Sequence, residues 1–193
     1  MEAFSDGVFA IAITLLVLEI GVPDGSEDDL LGALVEQWPS YLGYLVSFAT
    51  IGALWIKHSA VTDYLTASDA RLVRLNLLLL LAISFLPFPT RLLAEYVGEP
   101  DAARVAAVVY GINLLLASAL MSLLWKYAVR QRLVREDLSE HRVKGVVDAL
   151  GSGMAAYVAL IFLGLFLPVA AVVGYLVIAL YILVPVSALR SAR

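Results

Sequence analysis

Six stretches of this chain are each long and apolar enough to make a helix that crosses a lipid bilayer: approximately 4–22, 39–57, 73–94, 102–125, 145–166 and 169–189. A crossing helix needs about 20 largely apolar residues. A membrane barrel would instead show segments of about ten residues with alternating polarity. The runs here are continuous, so the expected fold class is an all-α membrane protein, one domain over 1–193 with six transmembrane helices. Composition agrees. Sixty-two percent of the 193 residues are hydrophobic and 16% are charged, where a soluble domain has roughly 45–50% and about 25%.

The cations set an orientation. Lys57, Arg71 and Arg74 lie in the 57–74 connection, six more in the 126–144 connection, and Arg190 and Arg193 at the end. Only Arg91 and Arg104 fall on the other side, 11 against 2. The positive-inside rule then puts both termini in the cytoplasm. The outward 22–37 connection holds five acids and no Lys or Arg. Spans five and six are expected as a tight hairpin around Pro168. The stretch "QRLVREDLSEHRVK" is expected as a surface helix, and Pro87, Pro89 and Pro185 as kinks or span ends. The start lacks the basic region and cleavage site of a signal peptide.

Several chemistries find no residues. There are no cysteines, which removes disulfides, thiol catalysis and cysteine-bound metals. His58 and His141 are far apart and make a poor zinc site. No nucleophile–base pair stands out, so an enzyme, a metal and a cofactor are not expected. Nor is a nucleic-acid partner; the net charge of −4 is segregated rather than spread.

The polar groups that enter the spans fall at matching depths. Ser5 and Asp6 open the first span, Trp55 and His58 close the second, and Asn76 begins the third. An ionisable group in a span usually faces a partner or a cavity, and a buried polar layer persists when its members bond one another. A plainer reading makes Ser5 or Asp6 an N-cap, and His58 an interfacial histidine.

On a wheel of about 100° per residue with Ile11 at 0°, Leu15 falls near 40°, Leu18 near 340°, Thr14 near 300°, Gly7 near 320° and Val22 near 20°. Asp6 falls near 220° and Ser5 near 120°, off that stripe. The first helix thus has a polar face and an aliphatic face. By itself the aliphatic face reads as core packing or lipid contact.

The segment "EAFSDGVFAIAITLLVLEI" closely resembles the first span of the transmembrane protein 175 family of potassium-permeable channels, in its prokaryotic branch. "IGALWIKH" and "NLLLLLAISFLPFPT" extend the resemblance through the first half of the chain; the second half is similar in span number and length. The family pattern is Arg-x-x-x-Phe-Ser-Asp. Phe4, Ser5 and Asp6 match it, and the Arg would fall one position before Met1. The resemblance implies a homotetramer in which four first helices line a central pore. It places the narrow ring at Ile11, further rings at Leu15 and Leu18, and a selectivity-related hydroxyl at Thr14. Phe4, Ser5, Asp6, Trp55, His58 and Asn76 become a structural layer that holds the pore helices.

The expected function is a moderately potassium-selective channel, K⁺ over Na⁺, in the plasma membrane of a prokaryote. Its partners would be three further copies, the bilayer and permeant K⁺ or other monovalent cations. The chain has no T-V-G-Y-G filter; "AVVGYL" at 171–176 lacks the Thr and second Gly. A hydrophobic constriction that gates by dewetting takes its place. Rival readings are a secondary transporter, for which Ser84 and Asn113 are the mid-span polar candidates, and a structural membrane protein.

Overall fold

A computed structural model describes residues 1–21, 28–96 and 98–184. The described residues are helical: α1 (Glu2–Leu15), a 3₁₀ turn (Leu16–Glu19), α2 (Leu30–Glu36), α3 (Trp38–Thr62), α4 (Ala70–Ser84), α5 (Pro87–Tyr96), α6 (Pro100–Arg130), α7 (Glu140–Gly164) and α8 (Pro168–Leu183). Among them no strand forms, only one bridge pair, Leu65 with Val134. Val22, Pro185, Arg190 and Arg193, and part of the acidic connection, lie outside the described residues.

Among the described residues, four helical stretches are long and apolar enough to cross a membrane: α3, α4 and α5 taken together, α6 and α7. The apolar α8 is shorter, at 16 residues. The first expected span, 4–22, is not one continuous α-helix. It is α for 14 residues and then tightens into the 3₁₀ turn.

Helix starts follow local chemistry. Pro39, Pro100 and Pro168 stand in first turns, where a missing N–H costs nothing. Asp29, Asp69 and Ser139 cap α2, α4 and α7 by accepting from Gly32 N, Leu72 N and Arg142 N. Pro87 breaks the third expected span into α4 and α5. Leu86 N turns back to the Ile83 carbonyl, which leaves the Ala82 carbonyl without its helical donor. Asn113 Nδ2 donates to it at 3.0 Å.

The expected surface helix over 131–144 is corrected. Arg132 takes a left-handed conformation, φ 56°. Leu133 N bonds the Ala128 carbonyl and Arg132 N the Val129 carbonyl, the Schellman pattern that ends a helix. The chain then runs beside Tyr64–Thr66, with Thr66 N to Leu133 O at 2.9 Å and Arg135 N to Tyr64 O at 3.0 Å. Helix resumes only at Glu140.

The centre of the bundle is α6, which packs on α4, α5, α7 and α8. Its buried side chains include Tyr110, Leu114, Met121 and Trp125. Ala103, Ala107 and Gly111 lie four residues apart on it and let neighbouring helices come close. A Cβ on Gly111 would collide with Ile161 of α7 and the Tyr175 hydroxyl of α8. At the bundle's edge, α1 packs mainly on α3 and α4, apart from its own 3₁₀ continuation. One of its faces is therefore left outward.

Candidate functional site

The inward face of α1 is a stripe of Ser5, Phe9, Ala12 and Leu16, all buried. At about 100° per residue these fall within roughly 60° of one another. Ser5 joins the layer expected from the sequence. Asn76 Nδ2 of α4 donates to Ser5 Oγ at 2.9 Å, and His58 Nε2 of α3 meets Asn76 Oδ1 at 2.8 Å. Ser5 Oγ donates back to the Met1 carbonyl at 3.2 Å. Since an amide oxygen only accepts, His58 carries its proton on Nε2. The result is a directed chain, His58 to Asn76 to Ser5 to backbone, through three helices. Phe9 covers the His58 ring at a centroid distance of 5.4 Å. The other ring nitrogen, Nδ1, is buried and has no hydrogen-bond partner among the described residues.

Asp6 does not enter that chain. It sits on the flank of α1 and accepts from Trp55 Nε1 at 2.9 Å, a bond at the surface that ties α1 to α3 a second time. Phe4 also lies elsewhere. It is 62% exposed and stands seven residues before Ile11, on the outward face rather than among the polar groups.

That outward face holds the residues singled out as the constriction. Ile11 is 60% exposed, Leu15 42% and Leu18 72%; Thr14 is exposed beside them. The 3₁₀ turn preserves the alignment, because residues three apart eclipse when there are three per turn. Leu18 therefore stands over Leu15. By the same rule Glu19 stands over the buried Leu16 and turns inward, where Arg91 of α5 approaches at 3.9 Å. Thr14 Oγ1 donates to the Ile11 carbonyl at 2.9 Å, which leaves its oxygen lone pairs facing outward as acceptors.

A family model for the endosomal/lysosomal potassium channel TMEM175 matches residues 1–87. A protein of Chamaesiphon minutus named as a potassium channel is 42% identical over 176 residues, 88% of this chain and 86% of that one. The chain belongs to the TMEM175 family. The fold agrees with the crystal structure of a lysosomal potassium-selective channel TMEM175 homolog from Chamaesiphon minutus, with TM-score 0.85 and 40% identity over 100% of this chain and 96% of that one. The family also reaches animals. The Gallus gallus protein named as an endosomal/lysosomal proton channel TMEM175 is 41% identical over 122 residues, 56% of this chain and 24% of its own length. This chain, helical in its described elements, is thus a member of a membrane channel family.

Sequence reasoning missed a second polar cluster, deeper in the bundle. Ser47 Oγ lies 2.6 Å from Thr90 Oγ1 and 3.1 Å from the Tyr110 hydroxyl. Thr50 and Thr90 hydroxyls also donate to Val46 and Leu86 carbonyls. None of these residues is ionisable in the ordinary range, and hydroxyls in apolar helices are common, so no spacing set them apart. Asn113, the mid-span candidate for a transport site, instead serves the carbonyl freed at the Pro87 break. Among the described residues no group of acids and histidines could hold a metal ion.

Proposed function

We propose that this protein is a potassium-permeable channel formed by four copies, with α1 of each lining a central pore. The observation that carries the proposal is the division of α1 into two faces. One face is bonded to α3 and α4 through Ser5, Asn76, His58, Asp6 and Trp55. The other presents Ile11, Leu15 and Leu18 outward, all exposed among the described residues. Four such faces around one axis make rings of branched aliphatics. Such rings supply no ligands for an ion that sheds water, and they gate by dewetting. An ion that loses hydration cheaply passes more easily, which gives K⁺ a moderate advantage over Na⁺. The outward lone pairs of Thr14 offer a partial ligand beside the Ile11 ring.

Six crossings with both termini cytoplasmic complete the proposed arrangement, in the plasma membrane of a prokaryote. The acidic 22–37 connections, repeated four times, would concentrate cations at the outer mouth. Support comes from the cation asymmetry of the connections and from the potassium-channel names of the bacterial relatives.

Reconstitution in liposomes tests the reading, with K⁺, Na⁺ and H⁺ offered in turn. The channel passes K⁺ current without a coupled gradient and favours it over Na⁺. Saturating counterflow that needs a second ion would establish a transporter. Current carried by H⁺ alone would move the chain to the activity named for the animal relative.

A further inference from the structure

Lys57 is next to His58 on α3 but turned about 100° from it. It leaves the polar layer and enters a crevice of about 290 Å³ between α3, α7 and α8. Ser152, Gly153 and Ala156 of α7 form one wall, Val177 and Tyr181 of α8 the other. The small residues keep the first wall low: Lys57 Nζ lies 3.6 Å from where a Cβ on Gly153 would stand. Lys57 is half-buried, and among the described residues no acid lies within ion-pair distance of it. Asp148, one turn before Ser152, is exposed and not paired with it. An ammonium on an apolar span without a counter-ion is costly, and it retains three donors to offer.

We propose that this crevice binds an anionic phospholipid, whose phosphate pairs with Lys57 and whose acyl chain lies between α7 and α8. A lipid matches both halves of the site. The headgroup supplies the missing negative charge, and the tail covers Val177, Tyr181 and the low wall of α7. A free anion would answer the charge but leave the apolar walls uncovered.

Native mass spectrometry of the detergent-purified protein, titrated with phosphatidylglycerol or phosphatidylcholine, provides the test. The unmodified protein should retain phosphatidylglycerol several-fold better. Lys57→Met should bring retention down to the phosphatidylcholine level, and Lys57→Arg should keep it. Ser152→Phe fills the crevice with Lys57 intact and should also abolish the preference, which guards against a folding defect in Lys57→Met. Equal phosphatidylglycerol retention by the unmodified protein and both disruptive variants would overturn the proposal. The chain has no cysteine, so Ser152→Cys gives a single reporter. Slower maleimide labelling with phosphatidylglycerol supports the site. Equal protection by inorganic phosphate, or a disulfide between copies at that position, overturns it. These readouts are independent of ion flux, so the channel proposal and this one can fail separately.

Discussion

Ser5 and Asp6 are neighbours in the chain, yet they bond to different partners: Ser5 to Asn76 inside the bundle, Asp6 to Trp55 at its surface. Depth decides what each loss costs. Asn76→Ala leaves the buried His58 Nε2 without its acceptor, while Ser5 Oγ keeps only its bond to the Met1 carbonyl; an unsatisfied buried group costs about 1–3 kcal/mol. The melting temperature in detergent should fall clearly. Asp6→Ala removes an exposed bond and should melt close to the parent while assembling less tightly, with ion preference unchanged. Ile11 lies on the exposed face and takes part in none of these side-chain bonds. Ile11→Asn should wet the ring and lower the K⁺/Na⁺ permeability ratio in reversal-potential measurements, with little change in melting temperature. An unchanged ratio would remove Ile11 from the pore.

At the scale of elements, α4 and α6 are joined at one end by Asp69. Its carboxylate caps α4 at Leu72 N, 2.7 Å, and accepts from the Tyr127 hydroxyl at 2.6 Å. The Tyr127 bond first, then the backbone N–H groups, hold the Asp69 carboxyl below its ordinary value. A depressed carboxylate stabilises the fold above its unfolded pKa of about 3.9 and loses that contribution as pH falls through the folded value. Asp69→Asn keeps the shape but only one accepting oxygen, since its amide nitrogen donates, and it cannot titrate. Its melting temperature should lie below the parent's at neutral pH, and the gap should close in acid. Further along α6, Gly111 leaves room for Tyr175 and Ile161. Gly111→Val overpacks that junction, a change that costs typically about 1–3 kcal/mol, and thermal melts should show it. The helix starts were legible because Pro, Asp and Ser act within a turn of themselves. The 131–138 stretch was not. Its charges suited a surface helix, but the left-handed Arg132 and the pairing with Tyr64–Thr66 depend on where the second connection lies.

For the whole molecule, α1 at the bundle edge makes assembly the deciding quantity. A single copy leaves Phe4, Ile11, Leu15 and Leu18 exposed and has no central axis. On the proposed four-fold assembly the protein mass of the particle in detergent should be four times that of the chain, 20.8 kDa per copy. A monomer would sink the pore while leaving the fold untouched.

By itself the sequence determined the membrane setting, the helical class and the two-faced character of α1. These rest on composition and on a period of 3.6, both local properties. It also brought Ser5, His58 and Asn76 to one depth, since depth follows from counting residues along spans. Only the tertiary structure decided which polar neighbour each would take. It separated Asp6 from the His58–Asn76–Ser5 chain and gave Asn113 to a carbonyl released by Pro87. Partner choice depends on how helices rotate and approach one another. That is set by packing among residues far apart in the chain, such as Gly111 against Tyr175, and no local pattern carries it.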